Sequence, residues 1–463
     1  MKSITQDNRQ MESLNQKMCL FFERYGIGKL LRSANASKLK GFPVMQIFLL
    51  AVSTAFFHNS FYMQMRLHPG RFPFAKDVFY RFMNSCRINW RRFTMLLSSR
   101  IIRETIEPLT SKNRQNVFII DDSLFSRNRS KKVELLARVF DHAHQEFVYG
   151  FRMLTLGWSD GNTFLPVSHC LLSTENAKNR MVEASSAIDP RTNGGRQRRL
   201  AQQKCTDVAW KLLEEAIKEG IPAKHVLFDT WFCSPSALVR IKKDLQLDAV
   251  AMTKKSSKMH YRYQGKKQSV MDIYKQCRKR RGRAKYLLSV EAEAVRGDES
   301  VPVRLVYVRN RNKRSQYLVL VSTDMSLSEE EIIQMYGKRW GIEVFFKACK
   351  SYLRLSRDCR SISYDAMTAH VAVVFTRYAM LAVEQRESVD ERSLGELFYL
   401  ANEEMPDLPY YEALCRIMTQ FADLVQQHCL LDESVVQEML DIFMEQLPSI
   451  WTEGLRECVN DII

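Results

Sequence analysis

Three acidic positions, far apart along the chain, stand where carboxylates could do chemistry. The apolar, branched run VFIID is typical of a buried strand and ends in Asp121, with Asp122 next to it. A second such run, HVLFD, ends in Asp229, and Glu343 lies within a helical pattern. Carboxylates brought together from two parallel strands and a helix can hold two divalent cations about 3.5–4 Å apart, an arrangement that cleaves phosphodiesters. The pattern predicts Mg²⁺ or Mn²⁺ bound by Asp229, Glu343 and one of the adjacent aspartates.

The segment YGKRWGIEVFFKACK around Glu343 carries further polar residues at helical spacing. At about 100° per residue, Tyr336, Arg339, Glu343 and Lys350 fall on one strip of a helix that we predict to run from Ser328 to about residue 353. Such a strip is also compatible with a solvated face held by i,i+4 ion pairs. Apolar residues cover much of the remaining circumference, however, which predicts a buried helix whose charges need partners.

The elements that position these residues define an α/β protein of five regions. Residues 1–110 have the apolar spacing of helices and are predicted to form a DNA-binding or a plain packing region. The first part of the core spans 111–250, and a basic β-rich insertion follows at 251–325. The core then resumes over 326–387 with the helix that bears Glu343. Residues 388–463 are predicted to form an acidic helical C-terminal region.

Charge is distributed unevenly along the chain. The formal net charge is +17, but from Arg386 onward four arginines face seventeen acidic residues, so the preceding residues carry +30. This surplus favours a polyanionic partner, first of all nucleic acid, over a merely solubilising surface. Within 251–290 there are thirteen Lys and Arg against one acid, and we predict DNA-backbone contacts from its most basic run. That run contains Arg278, Lys279, Arg280 and Arg281.

Composition and cysteine usage exclude several protein classes. With 46% hydrophobic and 26% charged residues, and only 17 Gly and 12 Pro, the chain is neither disordered nor of low complexity. Eleven scattered cysteines without a CxxC pair indicate reduced thiols. The polar N-terminus lacks the apolar segment of a signal peptide, and the most apolar run, 42–57, is too short to span a membrane. We therefore expect a cytoplasmic, nucleoid-associated protein without a membrane partner.

These motifs together resemble a known family of enzymes. The Tyr-x2-Arg-x3-Glu-x6-Lys spacing, with IIDDS around Asp121, VLFDTWF around Asp229 and QYLVLVSTD before the helix, is similar to the bacterial transposases of the "insertion sequence four" family. The resemblance covers roughly residues 110–360. Because the first acid of that family usually lies two residues before Ser or Thr, Asp121, with Ser123, fits this position better than Asp122.

The resemblance implies a fold, an activity and a set of partners. The fold is an RNase H-like core interrupted by a β-rich insertion, and the activity is two-metal hydrolysis and strand transfer at transposon ends. The partners are double-stranded DNA, as terminal inverted repeats and as target, and a second copy of the chain. By the same resemblance, phosphates are contacted by Tyr336, Arg339, Lys347 and Lys350. A catalytically inactive DNA-binding descendant and a nuclease without strand transfer remain the alternatives.

Overall fold

The computed structural model describes a large part of the chain, all of it within the first of two compact units, Met1–Asp390. The predicted C-terminal region, 388–463, and Arg281 lie outside the described residues. The described ranges are 17–38, 40–54, 61–67, 74–111, 114–141, 144–280, 284–310, 316–351, 353–355 and 359–387.

The N-terminal part is helical, as its apolar spacing predicts. Its aromatic side chains pack together: the Phe48 ring stacks on Trp90 at 5.8 Å and meets Phe93 edge-on at 5.0 Å. These rings join the N-terminal helices into one core. The helices are α1 (residues 17–24), α2 (Ile27–Ser33), α3 (Val44–Ser53), α4 (Phe61–Leu67), α5 (Lys76–Met83) and α6 (Trp90–Ile101), which continues as one π turn, Ile102–Ile106.

Within the described ranges, eleven strands form one mixed sheet. Its hydrogen-bonded order is β2-β3-β1-β5-β6-β11-β10-β9-β7-β8, and β4 pairs with β3. The strands are β1 (Val117–Ser126), β2 (Ala137–Asp141), β3 (Glu146–Ser159), β4 (Phe164–Leu172), β5 (His225–Phe228), β6 (Asp248–Met252), β7 (Tyr261–Tyr263), β8 (Lys266–Gln268), β9 (Leu288–Arg296), β10 (Glu299–Arg309) and β11 (Tyr317–Ser322).

The middle of this sheet is parallel and deeply buried. β1, β5 and β6 run in the same direction, whereas β3 runs antiparallel to β1 and β4 antiparallel to β3. Every residue of β5 is buried, as are the first four of β1, because helices cover both faces of a parallel sheet. Apolar runs without alternation, such as HVLF, are therefore what this position requires.

The strands of the predicted insertion extend the same sheet. β11 pairs antiparallel with β6, and β10 and β9 follow it outward. The basic segment is thereby connected to the core through backbone hydrogen bonds. In its described part, the segment 251–325 does not form a layer of its own that packs on the core; its strands continue the sheet.

The remaining helices pack on the two faces of the sheet, and the longest, α13, is the most deeply buried. α13 is apolar and long enough to cross a membrane, but 83% of its apolar window is buried inside the protein, as expected of a core helix. These helices are α7 (Asn193–Ala201), α8 (Cys205–Lys218), α9 (Pro235–Lys243), α10 (Val270–Gln276), α11 (Glu329–Gly337), α12 (Trp340–Ser351) and α13 (Tyr364–Glu387).

Two local expectations from the sequence are wrong. The basic, glycine-containing composition of residues 189–204 predicts a loop that leads into α8, but the segment contains α7, which begins at the N-cap Thr192. A Cβ on Gly194 would lie 2.4 Å from an Asp365 carboxylate oxygen, so only glycine fits there. The single helix predicted from Ser328 has the expected capping box but ends at Gly337, and α12 begins only at Trp340.

Candidate active site

The aspartates lie where the parallel pairing of β1 with β5 ends. The last paired residues are Ile120 and Phe228, and Asp121 and Asp229 come directly after them. β1 does not end at its aspartates, as the sequence suggested, because β3 pairs with it as far as Ser126. Asp121 and Asp122 therefore lie on a part of β1 that pairs with β3 but no longer with β5. Asp121 and Asp229 mark the carboxyl ends of the parallel pairing, where open α/β sheets commonly bind ligands.

Arg339 joins β1 to the helix that carries Glu343. Its guanidinium donates to the Asp121 carboxylate at 2.5 Å and also to the Glu343 carboxylate. The backbone tightens to i→i−3 hydrogen bonds between α11 and α12, from the amides of Lys338 and Arg339. The buried Lys338 ammonium donates to the Gln115 carbonyl at 2.9 Å, which anchors this turn just before β1. The turn thus holds Arg339 and Glu343 over the end of the sheet.

The neighbouring Asp122 has a different partner. It accepts two hydrogen bonds from the Arg152 guanidinium of β3, at 2.6 and 2.8 Å. This bidentate geometry compensates the carboxylate charge within one ion pair. Of the two adjacent aspartates, Asp121 is the one linked to Glu343. Sequence reasoning missed Arg152 because its place beside Asp122 depends on the strand register.

A cavity of about 470 Å³ opens beside these carboxylates. Phe346 and the charged residues of α12 form one side of it. Burial lowers the pKa of the Lys350 ammonium, whereas Asp141 and Asp122 raise it. The cavity therefore combines acidic and basic groups within one concave surface. Its lining consists of Asp121, Asp122, Glu343, Phe346, Lys347, Lys350 and Ser351.

Burial raises the pKa of Asp121 to about 7. Arg339 opposes this shift, and the negative charges of Asp229 and Asp122 add to it. Burial also raises the pKa of the Tyr336 phenol to about 12, although Arg339 lowers it. The negative charge of Asp229 raises the pKa values of Asp121, Tyr336 and Arg339, so Asp229 belongs to the same electrostatic cluster.

The raised pKa of Asp121 predicts how the stability of the protein depends on pH. Folded Asp121 keeps its proton up to about pH 7, whereas the unfolded chain loses it near pH 4, so wild-type stability falls as the pH rises between these values. In EDTA, Asp121→Asn should therefore gain roughly 2 kcal/mol over wild type between about pH 5 and pH 8 by urea denaturation. Asp298→Asn, in an exposed turn, is the control. A stability difference that did not grow with pH would contradict the prediction.

Two of the predicted basic residues of the insertion, Lys279 and Arg280, lie over tyrosine rings. The Lys279 ammonium lies 4.6 Å from the Tyr274 ring centre, and the Arg280 guanidinium lies 4.1 Å from that of Tyr286. Arg278 and Arg280 are exposed, as is Lys347 at the cavity. The structure thus keeps cations on the surface of the segment, supported by aromatic rings.

A second group of potential ligands lies at the opposite ends of β5 and β6 and was missed from the sequence. His225, Asp248 and Asp324 bring ligand atoms within 4.8 Å of one another. Internal partners occupy several of their polar atoms, because His225 Nε2 pairs with Asp324 at 2.8 Å, and Asp248 accepts from Lys242 at 2.6 Å and Thr323 at 2.8 Å. The buried Nδ1 of His225 has no hydrogen-bond partner in the described part of the chain. These contacts fit a structural cluster that ties the strand ends together.

The main site offers a different set of donor atoms. Its potential ligands are carboxylate oxygens from β1, from the residue after β5 and from α12, which is the donor set that Mg²⁺ and Mn²⁺ prefer. Lysines beside the carboxylates add the positive charge that a phosphate ligand needs. An acidic cluster at the end of a mixed sheet, open to a cavity that also contains lysines, is an arrangement suited to metal-dependent cleavage or transfer of phosphate groups.

Comparison with known families agrees with this class. The sequence profile of the DDE superfamily endonuclease family matches residues 45–314, more than half of the chain, and the chain belongs to this family. The matched range contains Asp121 and Asp229 and ends before Glu343. No curated protein matches the chain significantly. Membership of an endonuclease family implies DNA as the substrate.

Proposed function

We propose that this protein is a DNA transposase that resembles the "insertion sequence four" family and acts at the ends of its element by two-metal-ion chemistry. One observation carries the proposal: Arg339 joins Asp121 of β1 to Glu343 of α12 beside the residue that follows β5. Two acids that are distant in sequence thereby line one cavity, and Asp229 follows the strand next to β1. Membership of the DDE endonuclease family supports the cleavage step.

An RNase H-like core is the fold that we propose for the catalytic part. The strand order β4-β3-β1-β5-β6 supports it. Neighbouring strands among β4, β3 and β1 run antiparallel, and β5 and β6 run parallel to β1. The strands β7 to β11 then belong to an insertion between Asp229 and Glu343, for which we propose the boundaries 251 and 325. The N-terminal helices would contribute DNA contacts.

Each acidic residue has a role in this proposal. Asp121, Asp229 and Glu343 would hold two Mg²⁺ or Mn²⁺ ions, and Asp122 stays paired with Arg152. When bound, the ions supply an activated water or 3′-hydroxyl on one side of the phosphodiester and stabilise the leaving oxygen on the other. Arg339, whose guanidinium binds Asp121 and Glu343 in this structure, would contact a phosphate of the DNA, and Tyr336 packs beside it with its ring centre 5.9 Å from the guanidinium carbon.

Basic residues extend from the site over the surface. Lys350 and Lys347 line the cavity and would contact phosphates next to the cleaved bond. Arg278, Lys279, Arg280 and Arg281 would follow the DNA backbone further away. We propose that the chain acts as a homodimer on paired terminal inverted repeats and target DNA, within the nucleoid.

The function is tested by incubating the purified protein and Mn²⁺ with labelled DNA that carries the terminal repeats flanking its coding region. Cleavage at the repeat ends followed by joining to a second DNA supports the transposase. Cleavage without joining would identify a nuclease that lacks strand transfer. Binding without any cut would identify an inactive descendant.

Lys350→Ala should weaken both DNA binding and cleavage. Loss of a phosphate contact should lower the affinity for every DNA sequence alike and reduce the slope of log affinity against log salt by about 1. Lys211→Ala, an exposed lysine on α8 outside the cavity, is the matched control and should leave the slope unchanged. An unchanged slope for Lys350→Ala, measured by fluorescence anisotropy, would remove this residue from the DNA contacts.

A further inference from the structure

Arg339 uses both terminal nitrogens of its guanidinium on proposed metal ligands. One nitrogen donates to Oδ2 of Asp121 at 2.5 Å, and the other donates to Oε1 of Glu343. The second oxygen of Asp121 also accepts a hydrogen bond, from the backbone amide of Asp122 at 2.8 Å. The side chains of Arg339 and Asp121 are each 16% exposed, so water screens their charges only weakly. A positive charge is therefore held between the two acids.

A divalent cation would compete with Arg339 for these carboxylate oxygens. Mg²⁺ and Mn²⁺ bind carboxylate oxygens directly. Oδ2 of Asp121 and Oε1 of Glu343 already accept N–H groups of the guanidinium. A guanidinium beside the same oxygens also repels a divalent cation strongly, because the effective dielectric constant of a half-buried site is low. Binding of an ion by both acids through these oxygens therefore requires that Arg339 moves away.

The surroundings offer the guanidinium another position. The Tyr336 ring centre lies 5.9 Å from the guanidinium carbon, and the buried Tyr336 hydroxyl has no hydrogen-bond partner among the described residues. Lys347 and Lys350 line the adjoining cavity and attract phosphate groups to it. A phosphate held there can accept from Arg339 with two oxygens, a geometry that guanidinium groups favour. DNA therefore supplies an acceptor that frees the two carboxylates.

The turn that carries Arg339 has a second attachment, which does not depend on the acids. Lys338, the preceding residue, donates to the Gln115 carbonyl at 2.9 Å. Gln115 lies six positions before Asp121, so two adjacent side chains hold this stretch of chain at points about 20 Å apart if it is extended. The attachment through Lys338 keeps the start of α12, and with it Glu343, next to β1 when Arg339 moves.

We propose that Arg339 is an internal counter-ion that keeps Asp121 and Glu343 from binding a divalent cation until a DNA phosphate takes the guanidinium. This inference rests on the proposed function and adds to it a coupling between DNA binding and metal binding. Each of the two ligands raises the affinity for the other, because coupling between two binding sites is reciprocal. The site thereby takes up its ions chiefly when a substrate lies in the cavity.

The first test measures Mn²⁺ binding without DNA, from the loss of the electron paramagnetic resonance signal of free Mn²⁺. Arg339→Gln removes the positive charge and should bind Mn²⁺ about tenfold more tightly than wild type, or more. Arg339→Lys keeps the charge and should stay closer to wild type. Adding Glu343→Gln to Arg339→Gln should abolish the gain. Equal Mn²⁺ affinity in wild type and Arg339→Gln would overturn the inference, as would a gain that persists in the double variant.

The matched control is Arg262→Gln. Arg262 of β7 donates to the Glu293 carboxylate of β9 at 2.8 Å, so the same substitution breaks an arginine–carboxylate pair outside the cavity lining. It should bind Mn²⁺ as wild type does. An equal gain in Arg262→Gln and Arg339→Gln would overturn the inference, because the gain would then follow from the loss of any positive charge.

The second test uses wild type and does not depend on the folding of a variant. A short duplex that begins at the end of the terminal repeat should raise the Mn²⁺ affinity of the protein by about tenfold, after the Mn²⁺ bound by the duplex alone is subtracted. An unchanged Mn²⁺ affinity would overturn the inference, and cleavage of terminal-repeat DNA by the same protein would leave the proposed function standing. A wild type that neither binds nor cuts DNA would overturn both.

Discussion

Replacing Glu343 by Gln should reduce Mg²⁺-dependent DNA cleavage by about 10³-fold or more, the rate equivalent of several kcal/mol of lost metal stabilisation. The amide keeps the size of the side chain and can still accept from Arg339, so the fold should persist. Asp229→Asn should have the same effect. Cleavage is measured as single-turnover nicking of a labelled duplex, and DNA affinity is measured in parallel and should change by less than about threefold.

The control for this prediction is Glu330→Gln, the same substitution at an exposed position on α11 that pairs with Lys285 at 2.7 Å. It should cleave at the wild-type rate. A cleavage rate within tenfold of wild type in Glu343→Gln would contradict the catalytic role. Equal loss of folding in the three variants at Asp121, Asp229 and Glu343 would instead show that these acids are structural.

The same assay separates the two adjacent aspartates. Asp121→Asn should reduce the cleavage rate as much as Glu343→Gln does, because Arg339 binds both carboxylates. Asp122→Asn should be less damaging to metal-dependent chemistry, since Asp122 already uses both oxygens on Arg152. A larger loss from Asp122→Asn than from Asp121→Asn would reverse the assignment.

Arg198→Met should cost about 3–5 kcal/mol of stability, the usual effect of removing one partner of a buried ion pair. The Arg198 side chain is 5% exposed and binds the carboxylates of Glu134 at 2.6 and 2.8 Å and of Asp365 at 3.0 and 2.8 Å. Methionine fills the space but leaves two buried carboxylates without their cation. Urea denaturation near neutral pH measures the loss.

The exposed pair Arg191–Asp189 provides a matched comparison. Its guanidinium lies 2.9 Å from the carboxylate, but the arginine side chain is 89% exposed, so Arg191→Met should leave the stability nearly unchanged. In the Arg198→Met background, Glu134→Gln together with Asp365→Asn should recover part of the loss. A cost below about 1 kcal/mol for Arg198→Met would indicate that water replaces the guanidinium.

The positions of the aspartates could be predicted from the sequence because they follow from a local rule. Apolar runs without alternation indicate buried parallel strands, and the residue after each run must then lie at the sheet edge where the strands end. That placed Asp121 and Asp229 together, and the α/β class followed from the order of the elements. The family match supports cleavage chemistry but ends before Glu343, whose role remains a prediction from spacing and contacts.

The errors share one physical origin, which is that contacts between distant residues decide the structure. The basic, glycine-containing segment before α8 has the composition of a loop, yet it forms α7 because Arg198 pairs with Glu134 and Asp365. The helix before Trp340 is interrupted where Lys338 reaches the Gln115 carbonyl, a partner 223 residues away. Neither contact can be read from residues within one helical turn. The role of the basic insertion in binding DNA stays a prediction.

The span of sequence between Arg339 and Asp121, 218 positions, also matters during synthesis. A ribosome that stalls before residue 339 releases a product with Asp121 and Asp229 but without Arg339 or Glu343. A product that ends before residue 339 therefore lacks part of the acidic cluster. Under the proposed function, a chain can cut DNA only after synthesis has passed Glu343, because the last of the three acids is added there.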